Sequence, residues 1–213
     1  VEAYRAGQLS AVECYVEECR ACGSVPLTDL ADFIDSREID PTFAGFASWC
    51  DRRRFNLTIL SDGMDHYIRA ILGRHGLGRI PFRSNLLELV PAPDPGHVEF
   101  RPSFPNTDEV CDRCASCKRN HMLTSTADDD AIVYVGEGYS DRCPVQFADL
   151  VFAKDDLLVH CRENSVACYP YESFDDVRER IEKISPASAD GRGPAIPRRR
   201  RAAVARKDVY LGG

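Results

Sequence analysis

The run Phe55-Asn56-Leu57-Thr58-Ile59-Leu60-Ser61-Asp62-Gly63 decides the fold. Its first six residues form a short, mostly apolar, β-prone piece, and Ser-Asp-Gly stops it as a tight turn does. Over residues 64–75 the apolar positions return at helical spacing. Strand, turn and helix make one half of a parallel βαβ unit. The same grammar recurs in Ala131-Ile132-Val133-Tyr134-Val135, the clearest buried strand, entered from Asp128-Asp129-Asp130 and left at Gly136-Glu137-Gly138. Residues 150–153 and 166–169 supply two more strands, alternating with helices near 144–148 and 155–163. The alternation predicts an α/β fold with mostly parallel strands, whose ligands bind at the carboxyl ends.

Outward from these strands the organisation is simpler. The first forty residues read as helical, broken at Pro26-Leu27-Thr28, and a further helix is expected over 41–53 with Phe43, Phe46, Ala47 and Cys50 on one face. Residues 81–107, rich in proline, predict a hairpin or irregular excursion. The division is therefore a helical piece over 1–40, an α/β core over 41–184 with a cysteine-rich loop near 111–121, and a basic, disordered tail over 185–213.

Composition narrows the function. With 213 residues, 44% hydrophobic and 29% charged, the chain can bury a core, which excludes a disordered, collagenous or disulfide-stapled class. The net charge of −7 is unevenly placed: residues 190–213 carry seven Arg or Lys against two Asp, leaving −12 for the rest. A body this acidic disfavours nucleic acid and anionic membranes, except for weak contacts by the tail. No apolar run approaches the ~20 residues of a spanning helix, and the VEAYRAGQLS start lacks the pattern of a signal peptide. The expected setting is the cytoplasm, with the ten cysteines as thiols or metal ligands. The sequence leaves the oligomeric state open.

Three polar clusters follow strands. Ser61, Asp62 and Gly63 open a helix whose free N–H groups suit an anion, though taken alone they are also an ordinary turn and cap. Glu137 and Asp141 place two carboxylates four residues apart, which suits a hard cation beside phosphate. Gly136-x-Gly138 lacks the third glycine of a dinucleotide loop. Lys118 lies between the two clusters in sequence, and an isolated lysine is ordinarily solvated.

Taken in order, Ile59-Leu60-Ser61-Asp62-Gly63-Met64-Asp65, Cys114-x-x-Cys117-Lys118 and Tyr134-Val135-Gly136-Glu137-Gly138-Tyr139-Ser140-Asp141 resemble motifs two, three and four of haloacid dehalogenase superfamily phosphatases. The resemblance covers about residues 1–184. It is nearest the branch holding phosphoserine phosphatase and 2-hydroxy-3-keto-5-methylthiopentenyl-1-phosphate phosphatase. It implies a Rossmann-like three-layer core with a parallel sheet and a small helical cap, of which 1–40 is a remnant. It also implies magnesium-dependent hydrolysis of a small phosphorylated metabolite through an aspartyl-phosphate. By the same resemblance Ser61, with the Asp62-Gly63 backbone, binds the phosphoryl group. Lys118 neutralises its charge, Glu137 holds magnesium, and Asp141 assists at the metal.

Two departures stand out. Glu137 replaces the family's usual aspartate. The family's first motif, Asp-x-Asp-x-Thr, which carries the nucleophile and lies on the central strand, does not occur in the chain. The expectation is a truncated core lacking its first strand and inactive as it stands. The alternative is a non-catalytic phosphate-binding or zinc-organised interaction protein. Cys111-x-x-Cys114-x-x-Cys117, with His121 or, more distantly, Cys143 as a fourth ligand, is spaced for one zinc, while an iron–sulfur cluster or plain reduced thiols fit the same spacing.

Overall fold

The computed structural model describes residues 2–109, 111, 113–127, 129–185 and 196. In chain order the elements are α1 (Glu2–Arg5), α2 (Ala11–Cys22), β1 (Val25–Pro26), α3 (Leu27–Asp35), α4 (Phe43–Arg52), β2 (Ile59–Met64), α5 (Asp65–Arg74), β3 (Phe82–Pro91) and β4 (His97–Ser103). There follow α6 (Lys118–Thr124), β5 (Val133–Gly136), β6 (Leu150–Ala153), α7 (Asp155–Glu163), β7 (Tyr169–Pro170) and α8 (Phe174–Ile184). The chain is mixed α/β and divides into two compact units, residues 1–39 with 58–118 and residues 40–57 with 119–213.

The first unit holds a four-stranded sheet in the order β1-β4-β3-β2, with β2 parallel to β3 and the other pairings antiparallel. The proline-rich stretch is indeed a hairpin, β3 with β4, paired from Leu86 with Ser103 to Pro91 with Val98. Helix α2 packs on β4. Its start is fixed by a capping box, in which Ser10 Oγ accepts from Glu13 N and the Glu13 carboxylate accepts from Ser10 N.

The end of β2 differs from the sequence reading. Residues 55–58 have no regular structure, Ser61-Asp62-Gly63 lie within the strand, and α5 begins only at Asp65. Leu60 pairs with Arg83 but Met64 with Asn85, so β2 spends four steps where β3 spends two. Ser61, Asp62 and Gly63 are thus a bulge, not a turn that opens a helix. Small and polar residues serve both geometries, which is why composition predicted the turn.

The second unit carries the parallel sheet β5-β6-β7. Leu150–Ala153 is buried at every position because β6 is the middle strand. Phe152, Val151 and Leu157 are at most 1% exposed, and Val177 and Ile181 of α8 are buried as well. Phe43, Phe46, Trp49 and Phe174 form an aromatic cluster with ring centroids 4.9 to 5.6 Å apart. Trp49 Nε1 donates to Glu182 Oε1 at 2.8 Å, which satisfies the buried indole.

Three smaller expectations shift. The strand over 166–169 contracts to Tyr169–Pro170. The helix near 144–148 is a 3-10 turn, Pro144–Phe147. Of the tail expected over 185–213, only Ser185 and Ile196 fall among the described residues.

Phe152→Ala should destabilise the second unit by about 3–5 kcal/mol through the cavity it leaves. Urea unfolding followed by circular dichroism measures this, and a loss under ~1 kcal/mol would show that β6 is not the packed centre.

Candidate functional site

The bulge in β2 carries the first half of the site. Ser61 Oγ accepts the Gly63 N–H at 3.0 Å, leaving the hydroxyl proton to be given to a ligand. A Cβ on Gly63 would stand 1.9 Å from Tyr67 Oη, so the backbone passes this ring only as glycine.

Asp62 turns inward. Its Oδ1 accepts the backbone N–H of Ser116 at 2.8 Å, and its carbonyl oxygen accepts from Asn85 Nδ2 at 2.7 Å. Burial raises its pKa above the ordinary carboxylate value, while hydrogen bonds from Ser116 and Ala115 and the charge of Lys118 pull the other way. Burial, with the Asp62 charge as a lesser cause, also raises the Tyr15 and Tyr67 hydroxyls. Lys118 is buried, at 8% exposure, and is the first residue of α6. Asn85 and Ser116 are fully enclosed, with Asn85 Oδ1 and Ser116 Oγ unpartnered among the described residues. Ser61, Asp62 and Lys118 therefore belong to one unit, with Asp62 joining β2, β3 and the loop that ends at Lys118.

Glu137 and Asp141 belong to the second unit, just past β5. Asp141 is 6% exposed and its carboxylate is fully engaged. Tyr134 Oη donates to Oδ1 at 2.7 Å, and the N–H groups of Glu137 and Gly138 both donate to Oδ2 at 3.0 Å. A Cβ on Gly136 would come within 2.8 Å of Asp141 Oδ2, so glycine is what lets the carboxylate fold back on its loop. Glu137 points the other way, 60% exposed, with Oε2 2.9 Å from Lys154 Nζ. Gly136 pairs with Ala153, so Glu137 and Lys154 are the next residues beyond two adjacent parallel strand ends. Lys154, which no motif in the sequence singles out, is thereby the partner of Glu137, and its place one residue past an expected strand end is the signal that could have found it. The partnership raises the Lys154 pKa, chiefly through the hydrogen bond to Glu137. Burial likewise raises the Tyr171 hydroxyl, whose ring lies under Lys154 Nζ at 5.3 Å.

At Glu137 a single exposed carboxylate is paired with the Lys154 ammonium, while magnesium binds through one or two carboxylates and keeps its remaining positions for water and phosphate. The cysteine loop would offer softer donors. Cys111 and Cys114 are half-buried and Cys117 is buried, and among the described residues no group of three or more His, Cys, Asp or Glu side chains is placed to hold a metal.

No protein-family model matches the chain. Curated proteins do. It is 24% identical over 157 residues to a 2-hydroxy-3-keto-5-methylthiopentenyl-1-phosphate phosphatase of Bacillus mycoides, covering 73% of this chain and 69% of the relative. A protein of the same name from Bacillus cereus (strain B4264) is 27% identical over 164 residues, with the same coverage. These phosphatases are its homologues. The resemblance to haloacid dehalogenase-type phosphatases thus holds beyond the three motifs. Pdp3-interacting factor 1 of Schizosaccharomyces pombe is 28% identical over 159 residues, covering 68% of this chain and 64% of that protein. The chain spans about two thirds of the length of each of these relatives.

Asp62→Asn should change stability at pH 7 by no more than about 1–3 kcal/mol, because the weakened bond from Ser116 is offset by removal of a charge that burial disfavours. It should also flatten the pH dependence. Between the unfolded and the raised folded pKa of Asp62 the folded protein holds the extra proton, so stability falls as pH rises through that window. Denaturant midpoints from pH 4 to 7 check both effects. An unchanged slope would mean that the Asp62 carboxylate titrates as if exposed.

Proposed function

We propose that the chain carries the phosphate-binding and charge-neutralising part of a haloacid dehalogenase-type phosphomonoester phosphatase that acts, with magnesium, on a small phosphorylated metabolite. The observation that supports this reading is the Asp62 link, which holds the bulge that carries the Ser61 hydroxyl and the loop before the buried Lys118 on one framework. Phosphoryl transfer needs little covalent help from the protein and depends on positioning and on donors aimed at the transferring group.

In this reading the Ser61 hydroxyl donates to a phosphoryl oxygen. The Lys118 ammonium offsets the charge that builds on the equatorial oxygens. Asp62 does not touch the phosphate; it positions Lys118 by holding the loop before it. Ser116 Oγ, buried without a partner, is a further donor for the same anion. Glu137 would hold magnesium, and Asp141 shapes the loop that presents Glu137. The metal, when bound, would supply a Lewis acid for a phosphoryl oxygen. The 213 residues hold no Asp-x-Asp-x-Thr, so the nucleophilic step is assigned to none of them. The ten thiols agree with a cytoplasmic setting.

A second reading, a non-catalytic protein that keeps the phosphate pocket for binding a partner, is favoured by one observation. A relative of similar identity is named for interacting with Pdp3.

One assay separates the two. The natural full-length protein is tested with an aryl phosphate and magnesium, beside its Lys118→Ala form. The phosphatase reading expects turnover that falls about 10²–10³-fold in the variant. Absence of turnover, or turnover that Lys118→Ala leaves unchanged, overturns it.

A further inference from the structure

Two hydroxyl groups meet on one face of the β2 bulge. A Cβ on Gly63 would lie 1.9 Å from Tyr67 Oη and 3.2 Å from Ser61 Oγ, so both oxygens flank the same point. Only a buried glycine without a side chain leaves room for them there. Tyr67 stands in the first turn of α5, and its ring folds back over the bulge. It lies two residues beyond the run Ile59 to Asp65 that carries the family resemblance.

Each of these oxygens already accepts from the backbone. Ser61 Oγ takes the Gly63 N–H at 3.0 Å, and a hydrogen bond from the Met64 N–H bears on the Tyr67 hydroxyl. Among the described residues neither hydroxyl donates a hydrogen bond, to the other or to a third group. An O–H whose oxygen is engaged as an acceptor still has its proton to give. Burial raises the Tyr67 hydroxyl above its ordinary pKa, against the Met64 hydrogen bond and with help from the Asp62 charge, so the proton is present at neutral pH. Both residues are half-buried, which leaves the pair open to a ligand yet partly withdrawn from water. Hydrogen bonds to an ionised acceptor are strongest in such a setting. Two neighbouring donors with no acceptor suit a group that carries several oxygens on one centre.

We infer that Tyr67 is a second hydroxyl ligand of the phosphoryl group: Ser61 and Tyr67 each donate to one of its oxygens, while Lys118 balances its charge. This rests on the phosphatase reading of Ser61 and Lys118 and adds a residue to it. A phenylalanine at position 67 would fill the same ring space and offer an anion nothing.

Calorimetric titration of inorganic phosphate into the natural full-length protein, with magnesium present, tests the inference beside Tyr67→Phe and Lys118→Ala. Tyr67→Phe keeps the ring and removes the donor, so phosphate affinity should fall at least about tenfold, as it should in Lys118→Ala. Thermal midpoints of the same samples separate binding from folding. A hydroxyl that serves only to tie the ring to Met64 would lower the midpoint of Tyr67→Phe and leave its phosphate affinity within twofold of the natural protein. That result, with affinity lost in Lys118→Ala, overturns the inference alone. Phosphate binding that Lys118→Ala leaves unchanged overturns the phosphatase reading of the site and the inference with it, as does absence of binding by the natural protein. If Tyr67→Phe does not fold, Gly63→Ala takes its place, because its methyl group would displace the hydroxyl end of the ring. The same tenfold loss is then expected, and an unchanged affinity overturns the inference.

Discussion

A half-buried carboxylate that finds donors in a distant loop organises the first unit. Asp62 is partly withdrawn from water, which disfavours its charge unless hydrogen bonds and a nearby cation compensate. It draws in the Ser116 N–H and the field of Lys118, while its own carbonyl holds Asn85. Those demands fix the loop before α6 against the bulge of β2. The bulge in turn sets Ser61 out of the ladder, where its hydroxyl accepts from Gly63 N–H instead of packing in the sheet. One residue thus ties together two strands and a loop some fifty residues further along the chain.

The second unit solves a similar problem in the same way. Asp141 folds back on the turn after β5 and accepts three hydrogen bonds, from Tyr134, Glu137 and Gly138. With that carboxylate spent on Tyr134 and its own loop, Glu137 faces outward, and the ammonium of Lys154, one residue past the neighbouring strand, balances its charge. In both units an aspartate is used for architecture, accepting hydrogen bonds from backbone N–H groups.

Much of this fold was legible from periodicity. Val133–Gly136, Leu150–Ala153 and the helix Asp155–Glu163 lie where apolar runs and helical spacing predicted them, because parallel strands buried on both faces leave few alternatives. The end of β2 was misread for a physical reason: a bulge and a turn draw on the same small polar residues, and only the pairing with β3 distinguishes them. The two-residue strand Tyr169–Pro170 is too short for period-2 alternation to register. Ser61, Lys118, Glu137 and Asp141 are singled out only through a family resemblance. The clamping role of Asp62 is not, because it depends on a contact with Ser116 far along the chain. Among the described residues no metal-holding group includes Cys111, Cys114 or Cys117, and spacing fixes only which ligands could converge, not how the loop turns.

The central claim is that Asp62 brings Ser61 and Lys118 to bear on one phosphate. A crystal structure of the natural protein soaked in tungstate, a tetrahedral phosphate analogue with strong anomalous scattering, tests it directly. The account predicts an anomalous peak whose oxygens lie within about 3.2 Å of both Ser61 Oγ and Lys118 Nζ. Tungstate bound elsewhere, with no peak between those two groups, would contradict it.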